Sequence, residues 1–140
     1  MSTTSKPMLL LGLGSSYCLA GCLMEHLTLF EAWRHISSTQ DLRTTQTLTG
    51  MRAFYIYVVP KTAVTLALPF LVREEPRLWY SIAAMAVSWG SSFLVQVPLQ
   101  LTVQRTGDRE ALDRLLGTTW VRTVAMVMHC GVVFDIVLRV

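Results

Sequence analysis

Charge is scarce in this sequence. Only 15% of its 140 residues are Asp, Glu, Lys or Arg, against roughly 25% in an ordinary globular domain. The few charges crowd into three short windows with long apolar runs between them. That distribution excludes a typical water-soluble domain and is the composition of a polytopic membrane protein. The net charge of +3 is small and dispersed, and no Lys/Arg run interleaves with aromatics. A phosphate-tracking surface would need both, so no nucleic-acid partner is expected. Cysteine is scarce too: Cys18, Cys22 and Cys130 all lie inside apolar runs, where thiols serve as small hydrophobes. Cys18 and Cys22 share a helix face at i, i+4, a geometry that disfavours disulfide closure. There is no internal repeat and no low-complexity segment.

Long apolar segments are what the chain has in abundance, since 52% of its residues are hydrophobic. A span needs about 20 residues to cross roughly 30 Å of hydrocarbon. Four segments qualify: residues 8–30, 51–72, 78–103 and 119–138. The first is rich in Gly, Ser, Ala and Cys, residues that let membrane helices approach closely. Its Leu19-Ala20-Gly21-Cys22 run also fits a lipoprotein signal box. Apolar residues continue past Cys22, however, and further spans follow, so a small-residue packing patch is the better reading. Pro60 should kink the second span. The expected fold is all-α, a single integral membrane domain of four transmembrane helices running up-down-up-down. The short turn at Arg73–Arg77 makes spans two and three a tight hairpin. Each of the two longer connections is long enough for a short interfacial helix. In the second of them Leu112, Leu115 and Leu116 have helical spacing, which suggests a segment lying on the membrane surface.

Orientation follows from basic residues near the span ends. Lys6, Arg73, Arg77 and Arg139 make four on the side of the termini and the short turn. Arg34, Arg43, Arg52, Arg105, Arg109, Arg114 and Arg122 make seven on the side of the long connections. The bias places the long connections in the cytoplasm, and the expected setting is the cytoplasmic membrane of a bacterium.

Ionisable groups inside a span cost at least ~2.5–3.5 kcal/mol near its centre and are functional candidates by default. Here they are Glu25, His26, Lys61, His129 and Asp135, with Gln96 and Gln100 as neutral polar groups. All except Asp135 measure their depth from the long-connection face, so one polar cavity opening to that side is the economical expectation. Helical faces agree with it. Cys18, Cys22 and Glu25 share a face, as do Tyr57 and Lys61, then Ser92, Gln96 and Gln100, and finally Arg122 and His129. Inward stripes from four helices are what a bundle-core site requires.

Structural explanations compete with each functional one. Glu25 and Lys61 could form a buried ion pair that fixes packing. Trp120 and Arg122 could anchor the interface. His26 and His129 could be packed, hydrogen-bonded histidines. Met126, Met128, His129 and Cys130 look like copper ligands in sequence, but Met128 points away on a helix and no second helix supplies an obvious ligand set. No metal is expected. A haem held by His26 and His129 would need matched depths, which they lack.

One stretch carries a family resemblance. Gln96-Val97-Pro98-Leu99-Gln100, a charged connection containing Leu115, and Trp120-Val121-Arg122-Thr123 together resemble the DUF1772 family of four-helix membrane proteins, the anthrone oxygenase-like group. Glu25 near the end of span one and the chain length are similar to that pattern as well. The resemblance implies oxidation of an anthrone-type aromatic polyketide to a quinone with no cofactor, because the substrate carbanion itself can reduce O₂. It implies His129 or Glu25 as base, with Lys61 and Arg122 stabilising the phenolate and reduced dioxygen. Gln96 and Gln100 would orient substrate oxygens, with Tyr57 and Trp120 beside them. The expected catalytic residues are therefore Glu25, Lys61 and His129, and the substrate-binding ones Tyr57, Gln96, Gln100, Trp120 and Arg122. The bilayer and a small hydrophobic or aromatic substrate are the expected partners, and a homo-oligomer stays open.

Two other function classes compete. A small proton-coupled transporter would use Glu25 as an exchanging carboxylate and needs a through-going path. A structural subunit of a membrane complex would hold Glu25 and Lys61 in direct contact, pack His129 fully and have no cavity.

Overall fold

The computed structural model describes residues 5–139. Four helices carry the fold: α1 Lys6–Arg34, α2 Thr39–Leu71, α3 Leu78–Thr106 and α4 Arg109–Arg139. Each is long and apolar enough to cross a membrane, and no strand occurs among the described residues. The chain is thus an all-α, up-down-up-down bundle with the composition of a multi-pass membrane protein. Its outward face carries the apolar side chains that lipid would cover, among them Leu10, Phe70, Leu94 and Leu138.

The helices are longer than the spans read from sequence. At 29 to 33 residues each they run roughly 45–50 Å at 1.5 Å per residue, well beyond the ~30 Å of hydrocarbon. The excess lies on the long-connection side, so the expected interfacial helices are instead end turns of the long helices. The first connection shrinks to residues 35–38 and the second to 107–108. Local chemistry explains both breaks. Ser38 caps α2, its side chain accepting from the Asp41 N–H at 3.2 Å. Gly107 ends α3 in the left-handed region at φ 69°, its N–H reaching the Val103 carbonyl at 2.8 Å. That is a conformation glycine adopts without steric cost. The Asp108 carboxylate then accepts from the Glu110 N–H at 2.9 Å and starts α4.

These extra turns build a second core. Leu112, Leu115 and Leu116 do not lie on a membrane surface. They bury against Phe30, Trp33, Leu42 and Val103 in a packed head. The membrane half has its own core, with Leu11, Cys18, Leu68, Met85, Met126 and Ile136 at its centre. Small residues set the approach of α1 here: a Cβ at Gly14 would meet Val64 of α2 at 3.0 Å, and one at Gly12 would meet Val137 of α4 at 3.4 Å. All three cysteines are buried and free.

Between the two cores three helices each open by one wide π-turn: Glu25–Leu29 in α1, Phe54–Val58 in α2 and Ser92–Gln96 in α3. Two have a visible cause. Pro60 and Pro98 each stand two residues past the end of a π-turn, and a proline lacks the N–H of the ladder and crowds the carbonyl four residues back, inside that turn. In α1 the Thr28 hydroxyl bonds back to the Met24 carbonyl, which bends helices. Such insertions concentrate at functional sites.

Candidate functional site

The π-turns surround a cavity of about 230 Å³. Cys22 and Glu25 reach it from α1, Tyr57 and Lys61 from α2, Ser92, Gln96 and Gln100 from α3, and Arg122 from α4. Six of the eight residues expected at the site therefore share one wall-lined space. Gly21 makes room for one of them, because a Cβ there would overlap the Tyr57 ring. Gly50 does the same for Gln100, whose amide would stand 2.9 Å from an added Cβ.

The charges do not form the Glu25–Lys61 pair that the purely structural alternative requires. Glu25 binds Arg122, Nη2 to Oε2 at 2.6 Å, and each side chain is only 14% exposed. Lys61 donates to the Ser88 hydroxyl at 2.7 Å and lies 4.3 Å from the centre of the Trp89 ring. Trp89 is itself fixed, donating its indole N–H to Thr65 at 2.9 Å. Among the described residues no carboxylate lies within ion-pair distance of Lys61. The cavity thus presents one neutralised pair, one cation without a counter-charge, two amides and a phenol on largely apolar walls. Such a site suits a compact ligand bearing an anionic or phenolic oxygen.

Two expected site residues lie elsewhere. His129 is fully buried below the cavity, between the hydroxyls of Ser15 on Nε2 at 2.8 Å and Ser81 on Nδ1. With Cys130, whose thiol donates to the Ser15 carbonyl at 3.2 Å, it ties α1, α3 and α4 together. Its alignment with Arg122 along α4 places it on the right face but two turns too deep. Trp120 cannot join Arg122, because residues two apart on a helix point to nearly opposite sides. Its half-exposed ring lies against His26, centroids 4.0 Å apart, beside a separate recess of about 140 Å³.

Asp135 sits at the opposite end as expected, bonded to Arg77 at 2.9 Å and to Arg139 at 2.7 Å. Among the described residues no three His, Cys, Asp or Glu side chains gather as metal ligands would. Ser88, Trp89, Phe54 and Phe93 were not foreseen. Ser88 and Ser92 are one turn apart on the Gln96 face, a signal the sequence already held.

Compared with protein-family models, curated proteins and solved structures, the chain matches none.

Proposed function

We propose that this protein binds a small phenolic aromatic in its intramembrane pocket and catalyses cofactor-independent oxygenation of an anthrone-like substrate. The carrying observation is that Glu25, Arg122 and Lys61 face one apolar-walled cavity of about 230 Å³. That volume lies below the roughly 300–1,000 Å³ of drug-sized sites, so it suits a compact, fused-ring head. The bias of basic residues puts the head and its short connections on the cytoplasmic side, in a bacterial cytoplasmic membrane.

The reaction assigns each group a task. The Glu25 carboxylate takes the activated ring proton, the role His129 loses by lying outside the cavity. The carbanion transfers its electrons to O₂ and forms a carbon–oxygen bond, giving a hydroperoxide. Loss of water then leaves the new carbonyl, so CH₂ plus O₂ becomes C=O plus H₂O with no outside reductant. Lys61 and Arg122 stabilise the phenolate and the reduced oxygen as fixed cations in a low-dielectric site. Gln96, Gln100 and Tyr57 hold the substrate oxygens.

The test is O₂ uptake and quinone formation from 1,8-dihydroxyanthrone by purified protein in detergent. Uptake above that of empty micelles, lost in Glu25→Gln and Lys61→Met, supports the reading. A rate equal to empty micelles together with no saturable binding refutes it. A proton-coupled transporter is the second reading, favoured by the membrane-embedded Glu25 carboxylate and opposed by the packed core that closes the cavity toward the far face. It predicts pH-dependent counterflow in liposomes that Glu25→Gln abolishes. The structural-subunit reading is favoured by the fully packed His129 and opposed by the pairing of Glu25 with Arg122 rather than Lys61 and by the cavity between the helices.

A further inference from the structure

A ligand in this pocket needs a way in, and two directions are closed. Toward the head, Phe30, Trp33, Leu42, Val103, Leu112 and Leu115 form a packed core with little exposure. Toward the other face, the His129 tie and the core around Met126, Val133 and Ile136 fill the bundle.

The remaining side is different. α2 and α3 pack against each other at their two ends, Thr39–Ala53 on Val97–Thr106 and Val59–Leu71 on Leu78–Ser91. Midway they part company. The Phe54–Val58 π-turn packs on α1, and the Ser92–Gln96 π-turn packs on α4. The two π-turns do not pack extensively on each other, and the cavity lies between them as a slot. Outside the slot lies a groove of about 350 Å³. The groove and the inner cavity share four lining residues: Gly50, Phe54, Val97 and Gln100. The groove and the cavity are therefore neighbours, with these four residues as the wall between them. The cavity's own edge between the π-turns is apolar and open, with Phe54 52%, Phe93 61% and Val97 41% exposed, and the groove outside it adds the polar Thr47 and Gln104. The cavity's inner end holds Lys61, the cation without a carboxylate.

We infer that the pocket is loaded sideways from the bilayer, through the slot between α2 and α3, by an amphipathic aromatic. Its phenolic or anionic oxygen reaches Lys61 while its apolar body lies between Phe54, Phe93 and Val97. This rests on the pocket reading above and adds to it the route and the two-part shape of the ligand. An apolar rim admits a molecule already dissolved in lipid, and the polar inner end rewards only a molecule with an oxygen to offer. A purely hydrophobic lipid tail leaves Lys61 unanswered. A hydrophilic anion must cross the apolar rim exposed.

Two measurements on reconstituted full-length protein test the route. In the first, a diazirine-bearing alkylphenol is photolysed in vesicles containing wild-type protein, and the adducts are mapped by mass spectrometry. The expected adducts fall on Met51, Tyr55 and Leu101, which line the outer groove but not the inner cavity, as well as on Phe54, Phe93 and Val97, and vanish with excess 1,8-dihydroxyanthraquinone; competed adducts on the cavity lining alone overturn the route. In the second, binding of 1,8-dihydroxyanthraquinone is followed by tryptophan quenching in Val97→Trp, a bulkier side chain at the rim. A blocked passage slows association and release together by about tenfold, whatever the change in Kd from Val97's own contact with the ligand. Saturable binding with competed adducts confined to other faces, such as the Tyr80–Val124–Met128 groove, overturns the route and spares the pocket. Unchanged rates in a folded Val97→Trp do the same. Absence of saturable binding in wild type refutes the pocket and the route together. The photolabelling needs no variant, so the route stands or falls even if Val97→Trp fails to fold.

Discussion

Replacing Arg122 with Gln should be among the most damaging single changes in the bundle. It leaves the Glu25 carboxylate in a setting where only 14% of its side chain meets solvent. At 2.6 Å and an effective dielectric of about 20, the lost attraction is about 6 kcal/mol before desolvation is counted. Most of that gross attraction is offset by the desolvation already suffered by both ions, and breaking such pairs from one side costs ~3–5 kcal/mol. The cavity beside Glu25 can admit water to the orphaned charge, so the low end applies, about 3 kcal/mol. Glu25→Gln strands the Arg122 guanidinium instead and should cost about 3 kcal/mol on the same grounds. The double variant strands neither charge and should cost no more than about 3 kcal/mol, which leaves a coupling energy of at least about 3 kcal/mol. Unfolding by SDS titration in mixed micelles measures all four proteins. Single-variant costs that add to within ~0.5 kcal/mol would mean that the pair contributes nothing as a pair, and the electrostatic description of the site would be wrong.

Other substitutions separate the pocket from its scaffold. His129→Leu removes the partner of two buried hydroxyls and should destabilise the bundle by about 2 kcal/mol; equilibrium binding of 1,8-dihydroxyanthraquinone should be unchanged, and a large loss of affinity in folded protein would return His129 to the site. Gly21→Ala places a methyl group where the Tyr57 ring lies; it should weaken that binding, and Tyr57→Leu in the same chain should restore part of it, whereas wild-type affinity in Gly21→Ala would contradict the packing. At the opposite end, the side-chain hydrogen bond from Arg77 holds the Glu75 carboxyl below its usual range. A depressed folded-state value means the contribution is present above the ordinary carboxylate range and fades as pH falls through it. Wild type should therefore lose its stability advantage over Glu75→Gln on acidification, and parallel melting curves at every pH would remove the effect.

The membrane-spanning architecture was legible because apolar runs of span length are a coarse signal that side-chain detail does not disturb. The grouping of Glu25, Tyr57, Lys61, Gln96, Gln100 and Arg122 was legible for a related reason: costly polar groups in spans have few places to point. The head was not. Residues 39–53 are Thr-rich and polar, and nothing local marks them as helix apart from Ser38 and Asp41. Their hydroxyls are satisfied by carbonyls one turn back, as for Thr47 on Arg43 and Thr49 on Thr45, and Leu42 needs Trp33 from another helix before its burial makes sense. The partner of Glu25 was not legible: Lys61 and Arg122 both reach the same cavity, and spacing along separate helices does not choose between them. Helix α4 in fact begins at Arg109, which puts Arg122 more than three turns inside. His129 shows the limit of face alignment: periodicity gives direction around a helix, but only the serines of α1 and α3 determine whether that depth is cavity or core. The prolines at 60 and 98 did announce local irregularity. What they could not announce is that a wide turn would precede each one and that the two would lie across a slot.

The most direct test of a shared ligand pocket is the binding isotherm of 1,8-dihydroxyanthraquinone to wild-type protein, Lys61→Met and His129→Leu in one detergent. Saturable one-to-one binding to wild type, weakened by about tenfold in Lys61→Met, one charge-assisted contact at ~1.4 kcal/mol per decade, and retained in His129→Leu is the predicted result. Binding that is absent, or that Lys61→Met leaves untouched, contradicts it.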